Sequence, residues 1–250
     1  MLEEALREIG IEPSELMVSQ LRKYYEMIIE KNKVMNLTAI TDEKEFVYKH
    51  FVDSLSMMTE TGLSKADEAA KATALKACSE NTPCRMIDVG TGAGFPGLVL
   101  KIVYPQIDMT LFDSLKKRLT FLDEVIDELG LTGVRTFHGR AEDIGHDKLH
   151  RGVYDIVTAR AVANLSTLSE YCLPLVKKGG MFVAYKSAQA GEEAESAKKA
   201  VELLGGKVTD IREFTLPGTD YQRALVYVEK VKDTPARYPR KAGTPAKEPL

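Results

Sequence analysis

Four glycines crowd the segment Asp88-Val89-Gly90-Thr91-Gly92-Ala93-Gly94-Phe95-Pro96-Gly97, which follows one apolar run and precedes another. Glycine adopts positive φ at little cost and lets backbone approach a ligand closely. In an open α/β sheet such a loop, just past a strand, is where a small molecule binds. Two spacings overlap here. Gly92-x-Gly94-x-x-Gly97 satisfies the dinucleotide fingerprint, whose loop cradles a pyrophosphate. Counted from the strand, the pattern is an acid and three alternating glycines, Asp88-x-Gly90-x-Gly92-x-Gly94. A carboxylate at that point suits a ligand with positive charge. Asp113, followed by Ser114, closes the next apolar stretch, at the distance where an acid accepts hydrogen bonds from ribose hydroxyls. It serves either spacing.

These residues need a sheet to hold them. From Arg85 onward strand and helix patterns alternate: strands at Met86 to Val89, Ile107 to Phe112, Val134 to Phe137, Tyr154 to Thr158 and Met181 to Tyr185, with helical stretches between. Repeated β-α units imply a parallel sheet covered on both faces. Two last strands, near Val208 to Phe214 and Arg223 to Val231, are separated only by Leu216-Pro217-Gly218-Thr219-Asp220, which permits an antiparallel ending. Ahead of the sheet, residues 1–61 read as a helical cap. Leu16, Leu21, Tyr24, Tyr25, Ile28 and Ile29 follow helical spacing, Asn32 to Thr41 reads as a loop, and Thr41-Asp42-Glu43 caps a helix to about Met58. Residues 62–83, poor in large apolar side chains, read as a linker. The α/β domain covers 84–231, and 232–250 is a basic tail containing proline.

With 44% apolar and 28% charged residues the composition is that of a globular chain. No apolar run is long enough to span a bilayer, and the acidic start Met1-Leu2-Glu3-Glu4 is not a signal peptide. Three cysteines, Cys78, Cys84 and Cys172, are too few for a disulfide framework and read as free thiols. A cytoplasmic chain is expected. Net charge is −3, but Lys230, Lys232, Arg237, Arg240, Lys241 and Lys247 face only Asp233 and Glu248 at the C-terminus. A basic tail on an acidic body hints at a polyanion partner.

The acid and three alternating glycines resemble motif I of the class I S-adenosylmethionine-dependent methyltransferases, whose Rossmann-like sheet has seven strands with the last antiparallel. The resemblance narrows with Asn32-x-x-x-Asn36-Leu37-Thr38-Ala39-Ile40, His50-Phe51-Val52-Asp53-Ser54-Leu55, Asp113-Ser114-Leu115-Lys116-Lys117-Arg118, Thr158-Ala159-Arg160-Ala161 and Tyr238-Pro239-Arg240-Lys241-Ala242-Gly243-Thr244-Pro245. Over nearly its whole length the chain resembles the RsmG family, also called glucose-inhibited division protein B. Only 62–83 departs, being longer than the family needs.

That resemblance implies methyl transfer from S-adenosylmethionine, leaving S-adenosylhomocysteine, to guanine N7 in the decoding-region loop of 16S ribosomal RNA. The partner would be the small ribosomal subunit or an assembly intermediate, and the protein a monomer without a metal. Asp88, Gly90, Gly92, Gly94, Phe95 and Ser114 would hold the cofactor, with Asp113 on its ribose and Ala141 and Glu142 at its adenine. Arg160 would sit at the methyl-transfer end, contacting the methionine carboxylate, a phosphate or guanine O6. Lys186 and Arg223 would line the RNA-facing cleft and complete the catalytic set, with the tail on or near that side. Tyr185 and Phe95 could stack on a splayed base. His50 and Asp53 share a helix face and could serve either the site or a bond holding the cap. Guanine N7 has a free lone pair, so no general base is required. The competing functions are an NAD-dependent oxidoreductase, from the dinucleotide spacing, and a cofactor-bound rRNA adaptor without catalysis.

Overall fold

Seven apolar strands build one sheet in a computed structural model that describes residues 1–59, 84–160, 163–187 and 190–250. The strands are β1 (Cys84–Val89), β2 (Ile107–Asp113), β3 (Val134–His138), β4 (Tyr154–Arg160), β5 (Val176–Lys186), β6 (Gly206–Thr215) and β7 (Gln222–Lys230). Their order is β3-β2-β1-β4-β5-β7-β6. Pairings from β3 through β5 are parallel, and β7 runs antiparallel to both β5 and β6. The strand order reverses between β1 and β4, so the crevice at their carboxyl ends is the expected place for a ligand. The expected linker, 62–83, lies outside the described residues.

Helices cover both faces: α5 (Gly97–Val103) and α6 (Lys116–Glu128) on one, α8 (Leu165–Cys172) and α9 (Ala190–Leu203) on the other, with the short α7 (Ala141–Ile144) after β3. The cap joins the first face. It contains α1 (Leu2–Glu8) and α2 (Glu15–Met35), the latter started by Ser14, whose hydroxyl accepts from the Met17 N–H at 3.2 Å. Leu21, Tyr24 and Ile28 of α2 are fully buried with Leu98, Leu111 and Leu122. Leu16, expected on that face, is 68% exposed; in the same first turn it is Met17 and Val18 that pack against the core.

Ion pairs from Lys23 to Glu128 and from Lys31 to Glu124 dock α2 on α6, and two contacts to backbone carbonyls fix it further. The Tyr24 hydroxyl donates to the Ala93 carbonyl in the glycine loop, and Gln20 Nε2 donates to the Leu129 carbonyl at 3.0 Å. A Cβ at Gly94 would overlap the Tyr24 hydroxyl, so this glycine makes room for the cap. The helix expected up to Met58 is not uniform. Asp42 caps α3 (Glu43–Phe46), a π-helical turn (Val47–Val52) follows, then α4 (Asp53–Leu55) and a 3-10 turn (Ser56–Met58). Its inner side buries Phe46, Phe51 and Leu55.

The tail is docked on the opposite face. Arg240 grips the fully buried Glu170 carboxylate through Nε at 3.0 Å and Nη2 at 2.7 Å. Arg151 donates to the Tyr238 and Thr234 carbonyls, each at 2.8 Å. A last helix, α10 (Thr244–Lys247), ends the chain, with the Pro245 carbonyl accepting from the Thr167 hydroxyl at 2.8 Å. One cysteine reading needs correction. Cys172 is a free, buried thiol, but Cys84 is disulfide-bonded, since spacing along a chain does not say which sulfurs meet in space.

Candidate functional site

The glycine loop is held by the carboxyl end of β2. The Gly90 and Thr91 N–H groups both donate to the Phe112 carbonyl, at 2.8 and 3.0 Å. Asp113 Oδ2 accepts from the Gly92 N–H at 2.9 Å, and Oδ1 from the Leu115 N–H at 2.8 Å. Beneath the loop Asp88 is wholly buried. Its Oδ2 accepts from the Thr91 hydroxyl at 2.7 Å and the Gly97 N–H at 2.9 Å, while Oδ1 has no partner. Burial raises its pKa to about 6 despite the two donors. Buried carboxylate oxygens are normally hydrogen-bonded, so Oδ1 is an acceptor still to be used. Gly92 has φ +62°, and a Cβ there would meet only the Gly90 carbonyl oxygen, at 3.9 Å.

Two cavities flank the crevice. The larger, about 970 Å³, is lined by Gly90, Asp113, Ser114, Arg118, Ala141 and Glu142, with Tyr171 and Gly243 closing one side. That volume suits a nucleoside-sized ligand. Glu142 is 8% exposed and its Oε1 accepts from the Gly243 N–H at 2.7 Å. Burial, then Glu142, pushes the Tyr171 phenol up to about 12.

The smaller cavity, about 500 Å³, collects Lys49, Arg160, Lys186 and Arg223 against Asp53 and Glu193. Asp53, 5% exposed on its side chain, is shared: Oδ2 accepts from Arg160 Nη1 at 2.8 Å and Oδ1 from Arg223 Nε at 3.1 Å. Lys186 Nζ donates to Glu193 and to the Ala163 carbonyl, both at 2.8 Å. Lys49 Nζ lies 4.0 Å from the Tyr221 ring centroid. Each cation is ion-paired, Lys49 with Glu45 at 3.2 Å, and the four outnumber the carboxylates of Asp53, Glu193 and Glu45, which leaves the cleft of an acidic chain slightly positive.

His50 joins the two regions. Its ring stacks on Phe95 at 4.5 Å, and Nδ1 lies 3.3 Å from Arg160 Nη2, a donor. Nδ1 is therefore the acceptor, and Nε2 donates to the Thr38 hydroxyl at 2.8 Å. Asn32 makes that contact possible, because its Oδ1 accepts from the Leu37 and Thr38 N–H groups and folds the loop inward. Burial, then Arg160, Arg223 and Lys49, lowers the His50 pKa to about 3.

Of the residues expected at the cofactor, Gly90, Asp113, Ser114, Ala141 and Glu142 line the large cavity. Arg160, Lys186 and Arg223 meet in the small one. Asp88 lies under the loop, Gly94 faces Tyr24, and Phe95 packs among Tyr24, Phe46 and His50. Phe95 and Tyr185 are 6% and 5% exposed, and the Tyr185 hydroxyl donates to the Ser54 carbonyl at 2.6 Å; the stacking expectation meets two buried rings. Ala161 lies outside the described residues. Sequence reading did not single out Lys49, Arg118, Tyr171, Glu193 or Gly243 for the site. Arg118 and Gly243 stand inside quoted motifs, whereas nothing near Tyr171 or Glu193 marks them.

The profile of the family described as rRNA small subunit methyltransferase G (GidB) matches residues 17–226. Curated proteins of that name are similar over nearly the whole chain. One from Exiguobacterium sp. is 50% identical, covering 99% of this chain and 97% of its own. One from Listeria monocytogenes is 49% identical, covering 98% and 96%. Among solved structures, a mutant of MtNAS superposes with a TM-score of 0.51 at 15% identity, covering 93% of this chain and 82% of that one; this likeness speaks for the fold alone.

Proposed function

The chain belongs to the rRNA small subunit methyltransferase G family, and from that premise we propose that it methylates N7 of guanine 527 in 16S ribosomal RNA, using S-adenosylmethionine. It acts in the cytoplasm as a monomer, on the small subunit or a precursor of it. Among the described residues no helix is long and apolar enough to cross a membrane. The observation that carries the reading is the pairing of a nucleoside-sized cavity with a cationic cleft at one strand-order reversal.

The residues present fit the cofactor. Asp88 Oδ1, buried without a partner, offers an acceptor to a cationic group. Asp113, which also accepts from Arg118 at 3.5 Å, keeps a lone pair beyond these bonds for a ribose hydroxyl. Glu142 and Ala141 border the adenine, and Gly90 and Gly92 leave space for the rest. When bound, S-adenosylmethionine supplies an electrophilic methyl group.

The protein's own work is holding. Guanine N7 attacks with a lone pair that needs no base, so the rate comes from alignment and electrostatics. Lys186 and Arg223 hold RNA phosphate at the cleft. Arg160, at the end of β4, orients the base or its phosphate. Asp53 shares its charge between Arg160 and Arg223, which reduces the repulsion those arginines would exert on a methylated, cationic guanine. His50, neutral and donating away from Arg160, adds none.

Labelled S-adenosylmethionine with intact subunits and with deproteinised RNA, followed by mapping of the modified base, tests this. Label at guanine N7 is expected. Label at another atom or in no RNA would overturn the reading. A chain stabilised by NADH and not by S-adenosylhomocysteine would restore the oxidoreductase alternative.

A further inference from the structure

The cofactor cavity has one wall that no motif of the α/β fold supplies. Gly243, seven residues before the C-terminus, lines it and donates to Glu142 at 2.7 Å. Glu142 sits on α7, a helix of only four residues, too short to be rigid by itself. The tail holds it from outside. His146 Nε2 pairs with the Pro239 carbonyl at 2.7 Å. A Cβ at Gly145 would overlap the Pro239 ring. Arg151 bridges the Gly145 carbonyl at 2.5 Å and the Tyr238 carbonyl at 2.8 Å.

The tail in turn has a deep anchor. Glu170 is fully buried, and its Oε1 accepts from the Arg240 backbone N–H at 2.7 Å besides the guanidinium contacts. Removing one partner of such a pair leaves an uncompensated charge inside the protein, so the tail stays docked. Arg240 is thereby spent on an internal contact, although its charge reads in the sequence as available to RNA.

We propose that residues 240–243 are a wall of the cofactor site and hold the Glu142 carboxylate where it accepts the adenine amino group. This rests on the assignment of the large cavity to S-adenosylmethionine. The Gly243 N–H on Oε1 and a hydrogen bond to the Tyr171 side chain set the orientation of the carboxylate, which keeps a lone pair for the ligand. Gly243 and Arg240 are positioning residues that act through Glu142. Coupling is reciprocal: if the docked tail favours the cofactor, the cofactor favours the docked tail.

The test uses S-adenosylhomocysteine binding by calorimetry, in a double-mutant cycle. The variants are a chain ending at Arg240, full-length Glu142→Ala, and the two combined. Truncation is expected to weaken binding about tenfold, within the range of coupled sites, and to cost little more once Glu142 is gone. A purely structural tail would instead give the same factor with and without Glu142. Truncated protein with affinity within twofold of the full chain, or losses that multiply, would overturn the proposal. Should the truncated chain not fold, hydrogen exchange on the full chain decides. Saturating S-adenosylhomocysteine should slow exchange of amides in 240–245, and unchanged exchange overturns the idea. A full chain that binds no S-adenosylhomocysteine removes the cofactor assignment itself, whereas binding with unchanged tail exchange removes only the role of the tail.

Discussion

The nucleoside cavity and the cationic cleft share one edge of the sheet but are made of different materials. The glycine-loop side of the cavity is mainly backbone, hung on the Phe112 carbonyl and on Asp113 within about one β-α-β unit, while Glu142, Tyr171 and Gly243 close its other side. The cleft is side chains brought from far apart, with Asp53 of the cap joined to Arg160 and Arg223 across 107 and 170 positions. A backbone site tolerates changes of surrounding residues but not of its glycines. A side-chain site is adjustable in charge yet depends on every partner being present.

The largest effect should come from the cleft. Arg160→Ala is expected to lower single-turnover methyl transfer by about 10²–10³, the usual cost of one electrostatic contact in a reacting site. S-adenosylhomocysteine affinity should stay within about threefold. A large loss of cofactor affinity would show that the two regions are not separable at Arg160.

Next, Asp53→Asn should free both arginines together. Breaking a mostly buried pair costs about 3 kcal/mol, less here because the arginines keep some solvent. Urea unfolding should register that loss, with turnover falling by at least tenfold and cofactor affinity holding. Unchanged turnover would mean that Asp53 only ties down the cap.

The complementary change, Asp113→Ala, should weaken S-adenosylhomocysteine by about 1–3 kcal/mol and leave RNA binding alone. Calorimetry beside a filter-binding assay checks both halves. Equal losses in both would merge the two regions into one.

The smallest effect concerns pH. His50 has a native pKa of about 3, below the unfolded 6.5, so between those values only the unfolded chain gains the proton. Its contribution is constant above pH 6.5 and shrinks as pH falls toward 3. Asp88, raised to about 6 from 3.8, works oppositely, gaining its proton first in the native state. Comparison with His50→Gln isolates the histidine: the wild type should lose roughly 1–2 kcal/mol more than the variant between pH 7.5 and 5. Parallel unfolding curves at both pH values would contradict the neutral, buried ring.

The same contrast explains what could be read from the sequence. Strands β1 to β7 and the antiparallel turn at β7 follow from apolar patterning and from the short link at Pro217-Gly218. The glycine-loop side of the cavity is legible because glycine spacing and a following acid are local signals, whereas Ala141 and Glu142 came through the family resemblance and Tyr171 and Gly243 had no signal that pointed to the site. The cleft came through the family resemblance, because nothing local ties Asp53 to Arg223. The π-helical turn at Val47–Val52 was invisible, since its residues carry the ordinary helical mix. Arg240 was read for its charge when its meaning lay in Glu170, a partner 70 positions away. Gly94 stood within the motif, but what it faces is Tyr24.

That contact between α2 and the glycine loop has a consequence for synthesis. The cap is translated first, yet its partners come much later: Tyr24 meets the carbonyl 69 positions on, and Gln20 the one 109 positions on. At roughly 5–20 residues per second, the apolar side of α2 waits about 5–20 s for a surface to cover it. Leu21, Tyr24 and Ile28 stay without their partners on the α/β domain until the chain past Leu129 has emerged.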